Sequence, residues 1–253
     1  MFPLVFFILG AIIASFVGVI VARLHTGQSF LSGRSRCDVC DAPLTPIALV
    51  PIISYFISRG KARCCGARIS LYAPLTEILL GTLFAISYMR IGMGLALAGM
   101  FLSLALLLAL VLYDIEHQIL PAVLLYPFVI ISAITGFLLA PDINAFLQTF
   151  LVASLIASSL ALIHFLSSGR AMGLADTPLS FGLALLTGTA AFSGFIFSFW
   201  VGAVIGIYIL LRRPRGSRMG IEVPFAPFLA TGFILAYFTQ WNLTTIITGL
   251  SIH

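Results

Sequence analysis

Residues 2–22 read FPLVFFILGAIIASFVGVIVA, and this stretch decides the fold. It carries no charge and matches the roughly 20 residues that a helix needs to cross a hydrocarbon core at about 1.5 Å per residue. No basic segment precedes it, and it exceeds the apolar core of a cleaved secretory signal, so it reads as a retained helix. Comparable runs lie near 71–89, 91–113, 119–140 and 143–165. The uncharged stretch 179–211 is too long for one helix, and Ser193–Gly194 is the expected turn within it. A last run lies near 223–241, which brings the expectation to eight spanning helices, or seven with 179–211 undivided. The 253 residues are 61% hydrophobic and 8% charged, with a mean hydropathy of +1.17. A soluble domain carries roughly 25% charged residues, so composition excludes a soluble enzyme, a disordered chain and a secreted disulfide miniprotein. Continuous apolar runs favour helices over a β-barrel. The expected fold is an all-α polytopic membrane bundle. Its expected parts are a first helix (1–23), a cytoplasmic cysteine-bearing loop domain (24–70) between helices 1 and 2, and a transmembrane domain (71–253).

The charge map orients this bundle. The chain has 13 basic and 8 acidic residues, a net charge of +5. Arg23, Arg34, Arg36, Arg59, Lys61, Arg63 and Arg68 border or fill the first loop, and Arg212, Arg213, Arg215 and Arg218 fill the last. Both loops are expected in the cytoplasm, and the even number of helices between them agrees. The same parity places the 114–118 turn and the 166–178 loop on that side. Arg170 fits this orientation and Arg90 does not. Gly10, Ala14 and Gly18, and likewise Gly202 and Gly206, recur at the spacing that lets helices approach closely.

The acids of so apolar a chain are informative. Asp38 and Asp41 sit in the cysteine loop and read as solvated, and Asp142 follows Pro141 in an outward turn as an ordinary loop acid. Asp114 closes the third helix, in Leu112-Tyr113-Asp114-Ile115-Glu116-His117. Asp176 precedes the sixth, in Gly173-Leu174-Ala175-Asp176-Thr177-Pro178. Both fall at the cytoplasmic edge of the bundle. From Thr177 to Phe192 the sixth helix would span only about 24 Å, which draws Asp176 toward the headgroups or deeper, where an ionisable group is a functional candidate. Two carboxyls meeting in a partly dry site share one proton. That is the requirement of an aspartyl protease, in which one carboxylate takes a proton from water and its protonated partner donates to the scissile carbonyl. Glu116 and His117 beside Asp114 are also a metal-ligand pair in type, although an interfacial turn accounts for them. Glu77, one turn into the second helix, must be paired or functional. Glu222, ahead of Pro224, has a purely structural reading as an acid at a helix start.

Cys37, Cys40, Cys64 and Cys65 are the chain's four cysteines, all in the first loop. A cytosolic setting argues against disulfides, and C-x-x-C followed by further cysteines suggests a zinc knuckle. Because Cys64 and Cys65 are adjacent and do not easily turn both thiols toward one ion, Cys37, Cys40 and Cys65 are the best three ligands.

These segments together resemble the type IV prepilin peptidases (leader peptidase/N-methyltransferases), which belong to the GxGD intramembrane aspartyl proteases. The likeness covers nearly the whole chain. Gly10-Ala11-Ile12-Ile13-Ala14-Ser15-Phe16 is similar to the family's opening segment. Arg36-Cys37-Asp38-Val39-Cys40 and Cys65-Gly66-Ala67-Arg68-Ile69-Ser70 are similar to the edges of its cysteine domain. Pro74-Leu75-Thr76-Glu77 resembles the start of its second helix. Asp114, with Pro121 downstream, resembles the first catalytic motif, and Ala171-Met172-Gly173-Leu174-Ala175-Asp176 the second. Val223-Pro224-Phe225-Ala226-Pro227-Phe228-Leu229-Ala230 resembles the closing P-F-x-P-F motif. The chain departs from the family at Ala175, where the family has glycine, at Pro178, where a lysine is common, at Ala62 in place of a cysteine, and at Gly18, often asparagine.

The resemblance implies catalysis by Asp114 and Asp176, with Glu77, Gly173, Ala175 and Glu222 binding substrate or supporting the site. It implies a bacterial inner-membrane enzyme that removes the short basic leader of a type IV prepilin or pseudopilin at the cytoplasmic face. No cofactor is required for that cleavage. Many family members then methylate the new N-terminus with S-adenosylmethionine, and the cysteine loop is associated with that activity. No G-x-G-x-x-G fingerprint follows a strand here, so the residues give no independent sign of that cofactor. The expected partners are the precursor and the lipid bilayer, with no nucleic acid. Basic loops repel a basic leader, so recognition is expected from acids such as Glu77 or from the helix interface. A different class of function, a transporter using Asp114 and Asp176 as a proton relay, calls for charges at mid-membrane in paired broken helices. A third is a zinc-loop scaffold without catalysis.

Overall fold

In a computed structural model, residues 2–24, 37, 39–40, 42–43, 45, 50–169, 172–212 and 223–240 are described. Asp38, Asp41, Arg34, Arg36, Arg170, Arg213, Arg215, Arg218 and Glu222 lie outside the described residues. The described elements are helical: α1 (Phe2–Arg23), a short α2 (Ile53–Ile57), α3 (Tyr72–Ile91), α4 (Leu95–His117), α5 (Ala122–Leu139), α6 (Ile143–Leu166), α7 (Asp176–Thr187), α8 (Ala191–Arg212) and α9 (Ala226–Thr239). Six segments are long and apolar enough to cross a membrane, one of them the interrupted run Asp176–Arg212, and α9 is a shorter apolar helix. Counting α7 and α8 apart, the described residues hold eight apolar helices, of which α7 and α9 are shorter than a straight membrane crossing needs.

The interruption is not where the sequence suggested. Ser193 and Gly194 are buried inside α8. The chain breaks at Gly188, whose φ of 69° ends α7 before a single 3-10 turn over Gly188–Ala190. Only glycine takes that left-handed backbone at no steric cost. Gly194 serves contact instead, since a Cβ there would lie 2.8 Å from the Phe233 ring of α9. With 12 residues, α7 is about 18 Å long, shorter than the expected 24 Å.

The chain divides into two compact units, Met1–Leu112 and Tyr113–His253. In the first, α1 packs along α3. The crossing is set by Gly10 and Gly81, because a Cβ on Gly10 would lie 2.7 Å from the Leu80 carbonyl and one on Gly81 the same distance from that of Phe7. Ala14 is buried in the same seam, whereas Gly18 faces open space. Phe84 of α3 stacks on Phe101 of α4, with ring centroids 4.0 Å apart. In the second unit α7 is the central element, packed against α5, α6, α8 and α9, and α8 runs along α9. Nine of its residues are buried, Asp176 among them. Gly202 rests on Phe228, while Gly206 meets nothing. Many large apolar side chains point outward from α1, α5, α6 and α8, the pattern of helices solvated by lipid.

Asp142 is more than a loop acid. Its Oδ1 accepts from the Ala145 amide at 2.7 Å and caps α6, satisfying one of the unpaired amides that every helix start presents.

Candidate active site and cysteine centre

Asp114 and Asp176 both belong to the second unit and are buried, at 6% and 7% exposure. Asp114 is in the last turn of α4, a helix that continues to His117. Unpaired carbonyls crowd such an end, and its dipole disfavours a negative charge. The compensation comes from α9, where the Ala226 amide donates to Asp114 Oδ2 at 3.1 Å. Ala226 is the first residue of α9 and Pro227 the second. Proline suits a first turn because its missing N–H is no loss there, and this leaves the Ala226 amide free to serve the carboxylate.

Asp176 begins α7. Its own amide bonds back to the Gly173 carbonyl at 3.3 Å, while its carboxylate accepts from the Gly173 amide. This reciprocal pair resembles a capping box and fixes the Gly173–Asp176 turn. Gly173 lies against the acid, since a Cβ there would sit 3.4 Å from Oδ2, ordinary contact. Ala175 has φ −69° and ψ −18°, so the departure from glycine costs no backbone strain. The two carboxyls stand within direct electrostatic reach of each other. A pair of acids, each holding one backbone amide and facing the N-terminal ends of α7 and α9, has the parts for general acid and base work on one bound water.

Glu116 and His117 do not join a metal group. They are exposed and 3.9 Å apart, and the His117 ring packs tilted against Tyr113 at 4.4 Å between centroids.

Glu77 of the first unit is 7% exposed and is hydrogen-bonded. Its Oε2 accepts from the Ile52 amide at 2.6 Å, and Ser15 of α1 hydrogen-bonds the same carboxyl. Ile52 has φ 62° and ψ −55°, and the Ile53 amide bonds the Pro51 carbonyl at 2.5 Å. This is a classic γ-turn, a strained form that a β-branched residue takes only when its surroundings hold it there. Glu77 therefore ties α1, α3 and the start of α2 together. Neither Ile52 nor Ala226 stood out as a site residue in the sequence. The Pro-Phe-Ala-Pro run was the one available signal, for Ala226.

The four cysteine sulfurs all lie within 4.8 Å of one another. Cys37–Cys65 is 3.8 Å, Cys40–Cys64 is 3.3 Å and Cys64–Cys65 is 3.9 Å. A tetrahedral ion with sulfur at about 2.3 Å has ligand edges of about 3.8 Å, so the donor set fits zinc. Although adjacent residues do not easily turn both thiols toward one ion, Cys64 and Cys65 both belong to this cluster. A hairpin with a bridge between Lys61 and Arg68 is closed by Ala62 to Ala67 and Gly66 to Ala62 bonds, each 2.7 Å. Gly66, at φ 71°, turns the chain so that both neighbouring thiols point the same way. On the facing loop the Cys37 amide bonds the Ala42 carbonyl at 2.9 Å. The Cys40 and Val39 amides aimed at the Cys37 sulfur hold its thiol down at about 6, and bonding to the Cys40 and Cys37 thiols pushes Cys64 up to about 12. The Ala67 amide favours the Cys65 thiolate, yet burial and the adjoining thiols leave that thiol raised. Among the described residues no other group of three or more such donors comes together.

Comparison with known proteins agrees with this architecture. The family model described as "Bacterial Peptidase A24 N-terminal domain" matches residues 8–91. The prepilin leader peptidase/N-methyltransferase of Bacillus subtilis is 31% identical, over 92% of this chain and 92% of its own length.

The chain belongs to the prepilin leader peptidase/N-methyltransferase family.

Family members of the same name from Myxococcus xanthus (31% identity, 86% of this chain and 66% of that one) and Dickeya chrysanthemi (29%, 93% of both) also align over most of this chain. No solved structure matches significantly.

Proposed function

We propose that this chain is an inner-membrane aspartyl endopeptidase that removes the basic leader of a type IV prepilin-like precursor at the cytoplasmic face. The observation that carries the reading is that two of the chain's eight acids, from separate helices, are buried within electrostatic reach of each other and each accepts one backbone amide. With one proton between them, the ionised carboxyl takes a proton from water as that water attacks the scissile carbonyl, and the protonated carboxyl donates to the carbonyl oxygen. As the C–N bond breaks, the proton taken from water passes to the leaving amine, and a hydroxyl of the tetrahedral intermediate returns its proton to the carboxyl that had given one. The Ala226 and Gly173 amides keep each carboxyl in place through these exchanges. The basic loops that flank α1 and α8 support a cytoplasmic site.

The cysteine centre is proposed to hold one zinc ion through Cys37, Cys40, Cys64 and Cys65. Four thiolate ligands leave no open position, so the ion would hold the loop rather than react. The names of the relatives also carry N-methylation. Among the described residues of the first unit the one acid is Glu77, and it is engaged by Ile52 and Ser15. Incubating the purified protein with a prepilin and weighing the product tests the reading. Asp114→Asn and Asp176→Asn should each leave the precursor whole, and normal processing by either variant refutes the acid pair.

A further inference from the structure

The turn that carries Asp176 is held at its other end by a residue with no assigned part. His164 lies in the last turn of α6, and its Nδ1 is 2.8 Å from the Met172 carbonyl oxygen. A carbonyl only accepts, so this nitrogen bears the hydrogen. The ring is seated by the end of α6 itself. The Gly169 amide bonds the His164 carbonyl at 2.9 Å, and Gly169, at φ 76°, leaves room where a Cβ would press on the ring at 3.3 Å. Phe165 packs edge-on against the imidazole at 5.5 Å.

The Met172 carbonyl and the Gly173 amide are two halves of one planar peptide unit. The carbonyl takes the His164 hydrogen, and the amide gives its own to the Asp176 carboxylate. Fixing one half fixes the direction of the other. Gly173 has no Cβ to resist rotation of that plane, so the peptide needs an external hold. If the plane turned, a carbonyl oxygen rather than an amide would face Asp176, and two acceptors would repel. Two hydrogen bonds in series through one peptide also strengthen each other.

We propose that His164 is a positioning residue for the Asp114–Asp176 pair: its Nδ1–H on Met172 sets the Met172–Gly173 peptide so that the amide points at Asp176. The inference rests on the acid-pair reading above. Its test compares His164→Phe, which keeps a ring and loses the donor, with His164→Asn, whose amide nitrogen replaces Nδ1. Cleavage of a purified prepilin is followed by mass spectrometry for both, beside Asp176→Asn. H164F should lower kcat by about 10-fold to 100-fold, the scale for a catalytic group misplaced by about 1 Å, with KM within about twofold, and H164N should recover most of the loss. Wild-type kcat in H164F overturns the proposal, as does a loss in H164N equal to that in H164F, or a change confined to KM. Should H164F fail to accumulate, H164A carries the same comparison. Normal cleavage by D176N would refute the acid pair itself, whereas a silent D176N beside a fully active H164F refutes only the part given to His164.

Discussion

Replacing Glu77 separates a structural acid from a chemical one. Its carboxyl is buried, accepts from Ile52 at 2.6 Å and is bonded by Ser15. Glu77→Leu fills similar space and removes the acceptor, leaving the Ile52 amide unpaired inside the protein. An orphaned buried donor costs about 1–3 kcal/mol, and here the lost bond also frees a γ-turn that is unfavourable in isolation. Glu77→Gln keeps an acceptor oxygen and should retain most of that energy. Hydrogen–deuterium exchange of peptides covering 50–60, measured in detergent, reads the effect directly. A loss of about 1–3 kcal/mol of local stability speeds exchange of the Ile52 amide by about 5-fold to 150-fold, in the leucine variant alone. Prepilin cleavage by the glutamine variant should stay near wild type. Loss of cleavage in E77Q with unchanged exchange would show that the charge itself reacts or binds, and would refute the structural account. Unaltered exchange in E77L would refute the bond.

Proteolysis needs one carboxyl ionised and one protonated, so cleavage against pH should be bell-shaped: activity rises as the first proton leaves the pair and falls as the second does. A profile with a single limb would count against a shared proton. Zinc should bind at one per chain by atomic absorption, and Cys64→Ser should lower that occupancy as much as Cys65→Ser; full zinc in C64S would show that three cysteines suffice. Ala175→Gly should not raise kcat, because Ala175 already has a helical φ of −69°, and it should cost about 0.4–1 kcal/mol of stability in detergent melting. Gly81→Val should destabilise by about 1–3 kcal/mol, since even a Cβ there meets the Phe7 carbonyl at 2.7 Å; an unchanged midpoint would contradict the close crossing of α1 and α3.

The spanning helices were legible because lipid leaves a chain few options, and runs such as residues 2–22 satisfy their own backbone only as helices. The placing of the break in 179–211 was less legible. Ser193–Gly194 and Gly188 are all turn formers by composition, and only the packing of Gly194 on Phe233 assigns one to contact and the other to the bend. Asp114 and Asp176 drew notice as scarce charges in an apolar chain, yet their amide partners depend on where distant helices begin. Ala226 has no polar side chain to mark it. Glu77 was legible as an acid that needed a partner, but the partner is the backbone of Ile52, which no side-chain pattern announces. Adjacent cysteines looked unsuited to one ion because local geometry was weighed without the hairpin that Gly66 closes.

The bond from Ala226 to Asp114 has a consequence for biogenesis. A ribosome delivers the two acids well before it delivers α9. Until that helix docks, Asp114 lacks the Ala226 amide and stands at the unfavourable end of α4. On the acid-pair reading, a nascent chain whose α9 has not yet docked is therefore expected to be a poor protease, a safeguard against indiscriminate cutting.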